Sequence, residues 1–480
     1  MIRRWRTAWA GATTALGTAL VLLAPHPAHS AGTSLSAEGG YGFAEGARAV
    51  EPAESTTGAE RLEAGVPYRS TLPSEGKIYF RLELDADSTT YVAATAVPPD
   101  DAEAASADGI RVTVEDTDGG SCSYDTETIG ATRSPHPIVA WGAREAGPGS
   151  NRCEGAGTYY VVVERVATAT SAPDAWDLEL SVVTEPGLSE PGATQAPRSW
   201  NSATPKAVTG DPVRRPGGTG FASAARLGEG VWEDRIVPGQ TLYYEVPLDW
   251  GTQLSATAEL GGSGEQGSYT SGALDLTLHN PVRAPVEDAG AGYSGRQASA
   301  ALQPLPPVGY DNRHATAGRV NGMRFAGSYY LVVHLSEQVA ERLSAGPFGL
   351  TLRVGVEGAA RPGPAYKGEP VPGGVFTAEA AADGSDDGTG GDLAGPVGGG
   401  VSGGTGASGT MTALAAGGIG AGTVLLAWLA VWSLLGRRRS SAGTRGTGTP
   451  GGGRRGAGAR GAGARGAGAR GGGSGRRTAV

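Results

Sequence analysis

The sequence predicts an all-β protein: two tandem antiparallel β-sandwich (jelly-roll-like) domains, with one transmembrane helix and disordered linkers and tail. Three observations carry that expectation. The phrase AGTYYVVVE at 156–164 returns as AGSYYLVVH at 326–334. Its neighbours return with it, in the same order: YFRLELD (79–85) as YYEVPLD (243–249), YVAATA from Tyr91 as LSATA from Leu254, IRVTVED from Ile110 as LDLTLHN from Leu274, and WDLELSV (176–182) as FGLTLRV (348–354). Within these phrases apolar residues take every second place, as at Leu178, Leu180 and Val182 or Leu274, Leu276 and Leu278. That is the period of a half-buried strand, and no segment of the body sustains a helical period.

Residues 1–30, MIRRWRTAWAGATTALGTALVLLAPHPAHS, join a basic start to an apolar run ending in small residues. This is the pattern of a secretory signal peptide, with cleavage expected between Ser30 and Ala31. Repeat 1 follows over 39–184 and repeat 2 over 217–356. Their openings, GGYGFAEGAR (39–48) and GGTGFASAAR (217–226), match at an offset of 178, against 164 to 172 for the later phrases. Length differences are expected in loops. The unbroken run Tyr159–Val163 reads as a strand buried on both faces, entered, like its partner, through a turn glycine, Gly157 or Gly327. Short strands with Gly- and Pro-rich turns argue for sandwiches. Cys122 and Cys153 are the only cysteines, both in the exported part, and are expected to form a disulfide.

The stretch 185–216 is rich in Pro, Gly and Ser and reads as a linker; 357–411 reads as a disordered, acidic, Gly/Pro-rich stalk. Residues 412–435 are free of charge and long enough to span a bilayer as a helix. Arg437, Arg438 and Arg439 follow directly, the flank expected in the cytoplasm. The topology is therefore a single pass in the cell membrane, with the body extracellular and the tail inside. Gly418 and Gly422 form a GxxxG, a candidate helix-pairing face for a homodimer. The tail, 436–480, repeats GAGAR three times and has too few apolar residues to fold.

Charge separates these regions. Residues 31–411 carry all 48 Asp+Glu and, once the fourteen arginines of the two ends are set aside, 25 of the 39 Lys+Arg, a formal charge of -23. Such a body repels nucleic acid. The tail arginines have no aromatic beside them to stack on bases, which also argues against nucleic acid. Arg437, Arg438 and Arg439 suit contact with anionic lipid, at about 1 kcal/mol each.

No chemistry-bearing motif emerges. His136, His279, His314 and His334 fall in no HExxH, and the chain holds no GxSxG and no phosphate-binding loop. No catalytic residue, cofactor or metal is expected. Asp116-Thr117-Asp118-Gly119 comes nearest to a calcium loop, and surface charge is the simpler reading. Trp232 and Trp250, near strand ends of repeat 2, are candidates for stacking on a ligand.

The run GFASAARLGEGVWEDRIVPGQTLYYEVPLDWGTQLSATAEL, with LDLTLHNP and AGSYYLVV, makes repeat 2 resemble the bacterial pre-peptidase C-terminal domain, and repeat 1 resembles it more weakly. The resemblance implies an exported β-sandwich with no catalytic role of its own. Members place acidic residues before the paired aromatics, where this chain has Leu242 and Ile78-Tyr79, so contacts made by such acids are not implied here. By Ala, Gly and Arg usage the whole chain resembles the anchored surface proteins of high-GC actinobacteria. The expected function is non-catalytic: the tandem sandwiches bind a cell-wall polymer or another exported protein. The alternative is an accessory subunit of a membrane or secretion complex, working through its span and basic tail.

Overall fold

Strands form where the alternation places them. The first copy holds β1 (Arg48–Ala49), β2 (Tyr68–Leu72), β3 (Lys77–Leu84), β4 (Thr89–Val97), β5 (Gly109–Glu115), β6 (Ser121–Thr128), β7 (Ile138–Arg144), β8 (Gly157–Val166) and β9 (Trp176–Glu185). The second holds β10 (Val213–Arg214), β11 (Ala225–Arg226), β12 (Gly230–Ile236), β13 (Thr241–Leu248), β14 (Gln253–Leu260), β15 (Thr270–His279), β16 (Pro285–Tyr293), β17 (Ala298–Ala301), β18 (Gly327–Leu335) and β19 (Phe348–Glu357). The computed structural model describes residues 40–378 except 101, 148–152, 169–170 and 265–266, all within one unit, Met1–Asp386. The Ser30/Ala31 cleavage site, the span at 412–435 with Gly418 and Gly422, and Arg437, Arg438 and Arg439 lie outside the described residues. Among the described residues no helix is long and apolar enough to cross a membrane.

Each copy is a sandwich. In the first, the sheet β1-β2-β9-β4-β7 faces β3-β8-β5-β6. The core between them is made of alternate residues, among them Phe80, Leu82, Val92, Ala94, Val112, Val161, Val163, Leu178 and Leu180. The second copy repeats the order with β10-β12-β19-β14-β17 facing β11-β13-β18-β15-β16, around Tyr244, Val246, Leu276, Leu331, Val333, Leu350 and Leu352. Register confirms the duplication: Leu84 pairs with Gly157 and Leu248 with Gly327, so the phrases 156–164 and 326–334 are equivalent strands.

The openings are matched differently from the sequence expectation. Arg61 bridges to Arg81 as β11 pairs Arg226 with Glu245, and β1 lies on β2 as β10 lies on β12. Arg61-Leu62 is therefore the equivalent of Arg226-Leu227, and the offset of 178 is replaced by one near that of the neighbouring phrases. The two GxGFA phrases meet each other instead. Gly42 N–H donates to Thr219 O at 2.9 Å, and a Cβ on Gly220 would collide with the Gly42 carbonyl, so the contact requires glycine there.

The two sandwiches stack into four layers. The outer face of β4, β7 and β9 lies on the outer face of β13 and β18: Tyr41, Ala93 and Val139 pack with Phe221, Tyr243 and Val332, and Tyr91, Ala143 and Val183 with Val282, Ala284 and Phe325. This seam explains why β4 is buried at nearly every position. Val92, Ala94 and Ala96 enter its own core, while Tyr91 and Ala93 enter the seam.

Residues 358–378, expected to begin a free stalk, pack back on the body as a strap. Val371 bridges to Thr184, Tyr366 to Leu188, and Phe376 stacks on Phe325 at 4.9 Å. The aromatic rings of Tyr366 and Phe376, a residue type absent from 379–411, give this segment something to bury. The stretch 185–216, expected as an unpacked linker, is held by its backbone to the second copy: Asn201 O accepts from Gln253 Nε2 at 2.9 Å and Val208 O from Arg353 Nη1 at 3.0 Å.

Candidate functional site

Buried charge concentrates in the seam. Glu179 of β9 is fully buried; it accepts from Tyr41 Oη at 3.2 Å and Ala44 N–H at 2.9 Å, and pairs with Arg283 of the second copy. Glu185, at the end of β9, accepts from Tyr91 Oη at 2.8 Å, Tyr366 Oη at 2.8 Å and the Arg313 fork. Arg324 pairs with Glu145 at 3.0 Å and lies against Tyr91, Trp141 and Phe325. Each pair joins one copy to the other, so charge sets the register of the stack.

Histidines fill the same seam. His136 and His334 stack at 4.4 Å, and His334 Nδ1 meets Thr241 Oγ1 at 3.0 Å. Burial holds both below the ordinary histidine value, His334 further through the charge of His136. His279 is pushed down to about 4 by burial and bonds the Arg283 carbonyl. These are packed, neutral rings with structural partners.

One edge of the seam is acidic. Burial raises Glu127 of β6 to about 7, and the nearby Asp125, Asp288 and Asp275 push in the same direction. Burial also raises Asp275 to about 6, with Asp288 adding to it. The folded chain thus holds these protons more tightly than the unfolded chain. Their stabilisation is complete below about pH 4.5 and is lost as pH rises through 7. Between about pH 6.5 and 8, above the ordinary histidine range, urea denaturation is expected to show stability falling with pH, and Glu127→Gln to flatten the slope. An unchanged slope in that variant would refute the assignment.

The residues singled out in the sequence divide. Cys122 and Cys153 are bonded, tying β6 to the connection 145–156. Asp116 Oδ1 accepts from Asp118 and Gly120 N–H at 3.0 and 2.7 Å, which makes it the organiser of the β5–β6 turn. Trp250, a candidate for stacking whose simpler reading is core packing, is buried in the core of the second copy. The start of the strap lies over it: Arg361 N–H donates to the Trp250 carbonyl at 2.9 Å, and a Cβ on Gly363 would meet the indole. Trp232 is half-buried, and its indole N–H is taken by Gly228 O at 3.1 Å. Neither tryptophan is among the residues lining the cleft at 196–202 and 314–320.

A cleft does form where the sequence expected a linker. Residues 196–202 lie beside 314–320, part of the long connection from β17 to β18, and enclose about 590 Å³. Trp200 supplies an aromatic wall, half-exposed and, among the described residues, with no partner for its indole N–H; Arg198 and Arg319 supply charge, His314 an imidazole, and Ser199, Ser202 and Thr316 hydroxyls. The wall is held in place locally. Asn312 Nδ2 donates to Pro307 O and Met323 O at 2.9 and 2.8 Å, Asn321 Nδ2 to Arg313 O at 2.7 Å, and His314 Nε2 meets Ala193 O at 2.7 Å. The corresponding connection in the first copy, 145–156, is about half as long and carries the disulfide instead. The long connection that walls the cleft therefore belongs to the second copy. Sequence reading passed over Trp200, although it is the lone aromatic in 185–216 and that oddity was its available signal.

No protein-family model matches the chain, and no curated protein matches it. Solved structures similar to part of it include the N-terminal CBM22-1-CBM22-2 tandem domain of Paenibacillus barcinonensis Xyn10C, 11% identical, covering 61% of this chain and 86% of that one at a TM-score of 0.17. The tandem CBM51 modules of Sp3GH98 from Streptococcus pneumoniae are 9% identical over 59% of this chain and 82% of theirs, with a TM-score of 0.15. The M60 catalytic domain with CBM51-1 and CBM51-2 of Clostridium perfringens ZmpB is 8% identical over 60% and 34%, with a TM-score of 0.14. At these TM-scores none of the three carries an inference about this chain.

Proposed function

We propose that this is a non-catalytic surface protein, exported, anchored by the span at 412–435 and displaying its stacked sandwiches outside the cell to bind an envelope polymer. The observation that supports binding is the Trp200 cleft: a half-exposed aromatic face beside the Arg198 and Arg319 guanidinium groups, in the one loop where the copies differ most in length. An indole face suits a saccharide ring, apolar on its C–H side and hydroxylated at its edge. The resemblance of the second copy to the pre-peptidase C-terminal module fits the same reading. The test is retention of the full chain on isolated cell-wall material. Trp200→Ala is expected to weaken retention about tenfold, the loss of one stacked ring with its hydrogen bond; equal retention of parent and variant would exclude the cleft as the binding site.

A further inference from the structure

We propose that the Trp200 cleft selects an anionic saccharide, a sugar bearing a carboxylate or a phosphate. This rests on the reading of the cleft as a binding site and adds the charge of its ligand. Residues 31–411 carry 48 acidic against 25 basic residues, yet Arg198, Arg319 and His314 line the cleft and no Asp or Glu does. Lining of that sign runs against the composition of the body around it.

The state of the two guanidinium groups sharpens the point. Elsewhere the buried and half-buried arginines have partners: Arg283 has Glu179, Arg313 Glu185, Arg324 Glu145 and Arg353 Glu259, while Arg144 donates to the Asp85 carbonyl and Arg165 lies on the Trp176 ring. Arg198 is exposed and, among the described residues, has neither an ion pair nor a hydrogen-bond partner. Arg319 spends Nη1 on a neutral acceptor, Gln303 Oε1, at 2.6 Å and feels the charge of Glu287 without pairing to it. Two forks with free donors beside one indole match a planar carboxylate or a phosphate carried on a ring that stacks on Trp200. The negative body opposes such a ligand at long range, but that field is screened within about 8 Å at physiological salt, so the contact groups decide binding.

The test measures binding of the full chain to three soluble probes: polygalacturonate, poly(glycerol phosphate) and neutral dextran. Parent, Arg198→Gln, Arg319→Gln and Trp200→Ala are compared. Arg198 is exposed, so its variant leaves folding untouched. The expected result is binding of a polyanion in preference to dextran, weakened about tenfold in each variant, with the carboxylate and phosphate arms identifying which anion is held. Dextran bound as tightly as the polyanions, with Trp200→Ala impaired and Arg198→Gln normal, overturns the anionic assignment and leaves the cleft as a binding site. Polyanion binding unchanged in all three variants assigns it to the arginine tail and overturns both readings, as does failure to bind any probe.

Discussion

Glu185→Ala is expected to cost about 3–5 kcal/mol of folding stability. The carboxylate is 2% exposed and joins three parts of the molecule: Tyr91 of the first copy, Arg313 of the second and Tyr366 of the strap. Removing it leaves the Arg313 guanidinium, itself 13% exposed, without its counter-charge, and two tyrosine hydroxyls without an acceptor. The cost is that of the stranded charge rather than the worth of the pair, so Glu185→Leu with Arg313→Met should recover most of the loss. Urea denaturation of the full chain reads both. A single variant within about 1 kcal/mol of the parent would mean that the seam does not depend on this carboxylate.

Loss of the Cys122–Cys153 bond comes next, at about 2–4 kcal/mol, because a cross-link between residues 31 apart removes loop-closure entropy from the unfolded chain. The effect originates in the first copy, where the bond anchors the connection 145–156 that also gives its carbonyls at Cys153 and Gly155 to Tyr159 Oη, each at 3.0 Å. The second copy secures the equivalent connection through Asn312 and Asn321 and is indifferent to reductant. Cys122→Ser with Cys153→Ser, or reduction of the parent, should lower the denaturation midpoint to the same degree. No shift on reduction would show that the bond contributes nothing.

Strands, the duplication and the disulfide were legible because they rest on local alternation, on a repeated order of phrases and on a count of two cysteines. The stacking was half legible. YVAATAV in β4 is apolar except at Thr95, whereas its equivalent in β14 alternates, with Ser255, Thr257 and Glu259 between Leu254, Ala256, Ala258 and Leu260. That difference between paired phrases marks which copy has its outer face covered, but only if the copies are compared for their differences. The likeness of the two GxGFA phrases misled because both supply small and aromatic residues to one contact, where they meet as partners and not as equivalents. Trp200 and the strap were hidden by their company. Composition averaged over thirty or more Pro-, Gly- and Ser-rich residues outweighs a single aromatic, although one aromatic is enough to fix such a segment against a folded surface.

The seam joins unlike faces, β4/β9 of one sandwich to β13/β18 of the next, and such a head-to-tail contact has no built-in end. A third sandwich could add to either side of the pair by the same rule. What stops the series is substitution at the equivalent positions. On the free side of the first copy Lys77 and Glu164 stand where Thr241 and His334 are buried in the second, and Arg111 stands for Asp275. On the free side of the second, Thr351 and Arg353 stand where the first has Glu179 and Ser181. Each sandwich thus turns an apolar face inward and carries polar or charged residues at the equivalent positions of its outer face, which disfavours stacking of a second pair by the same contact.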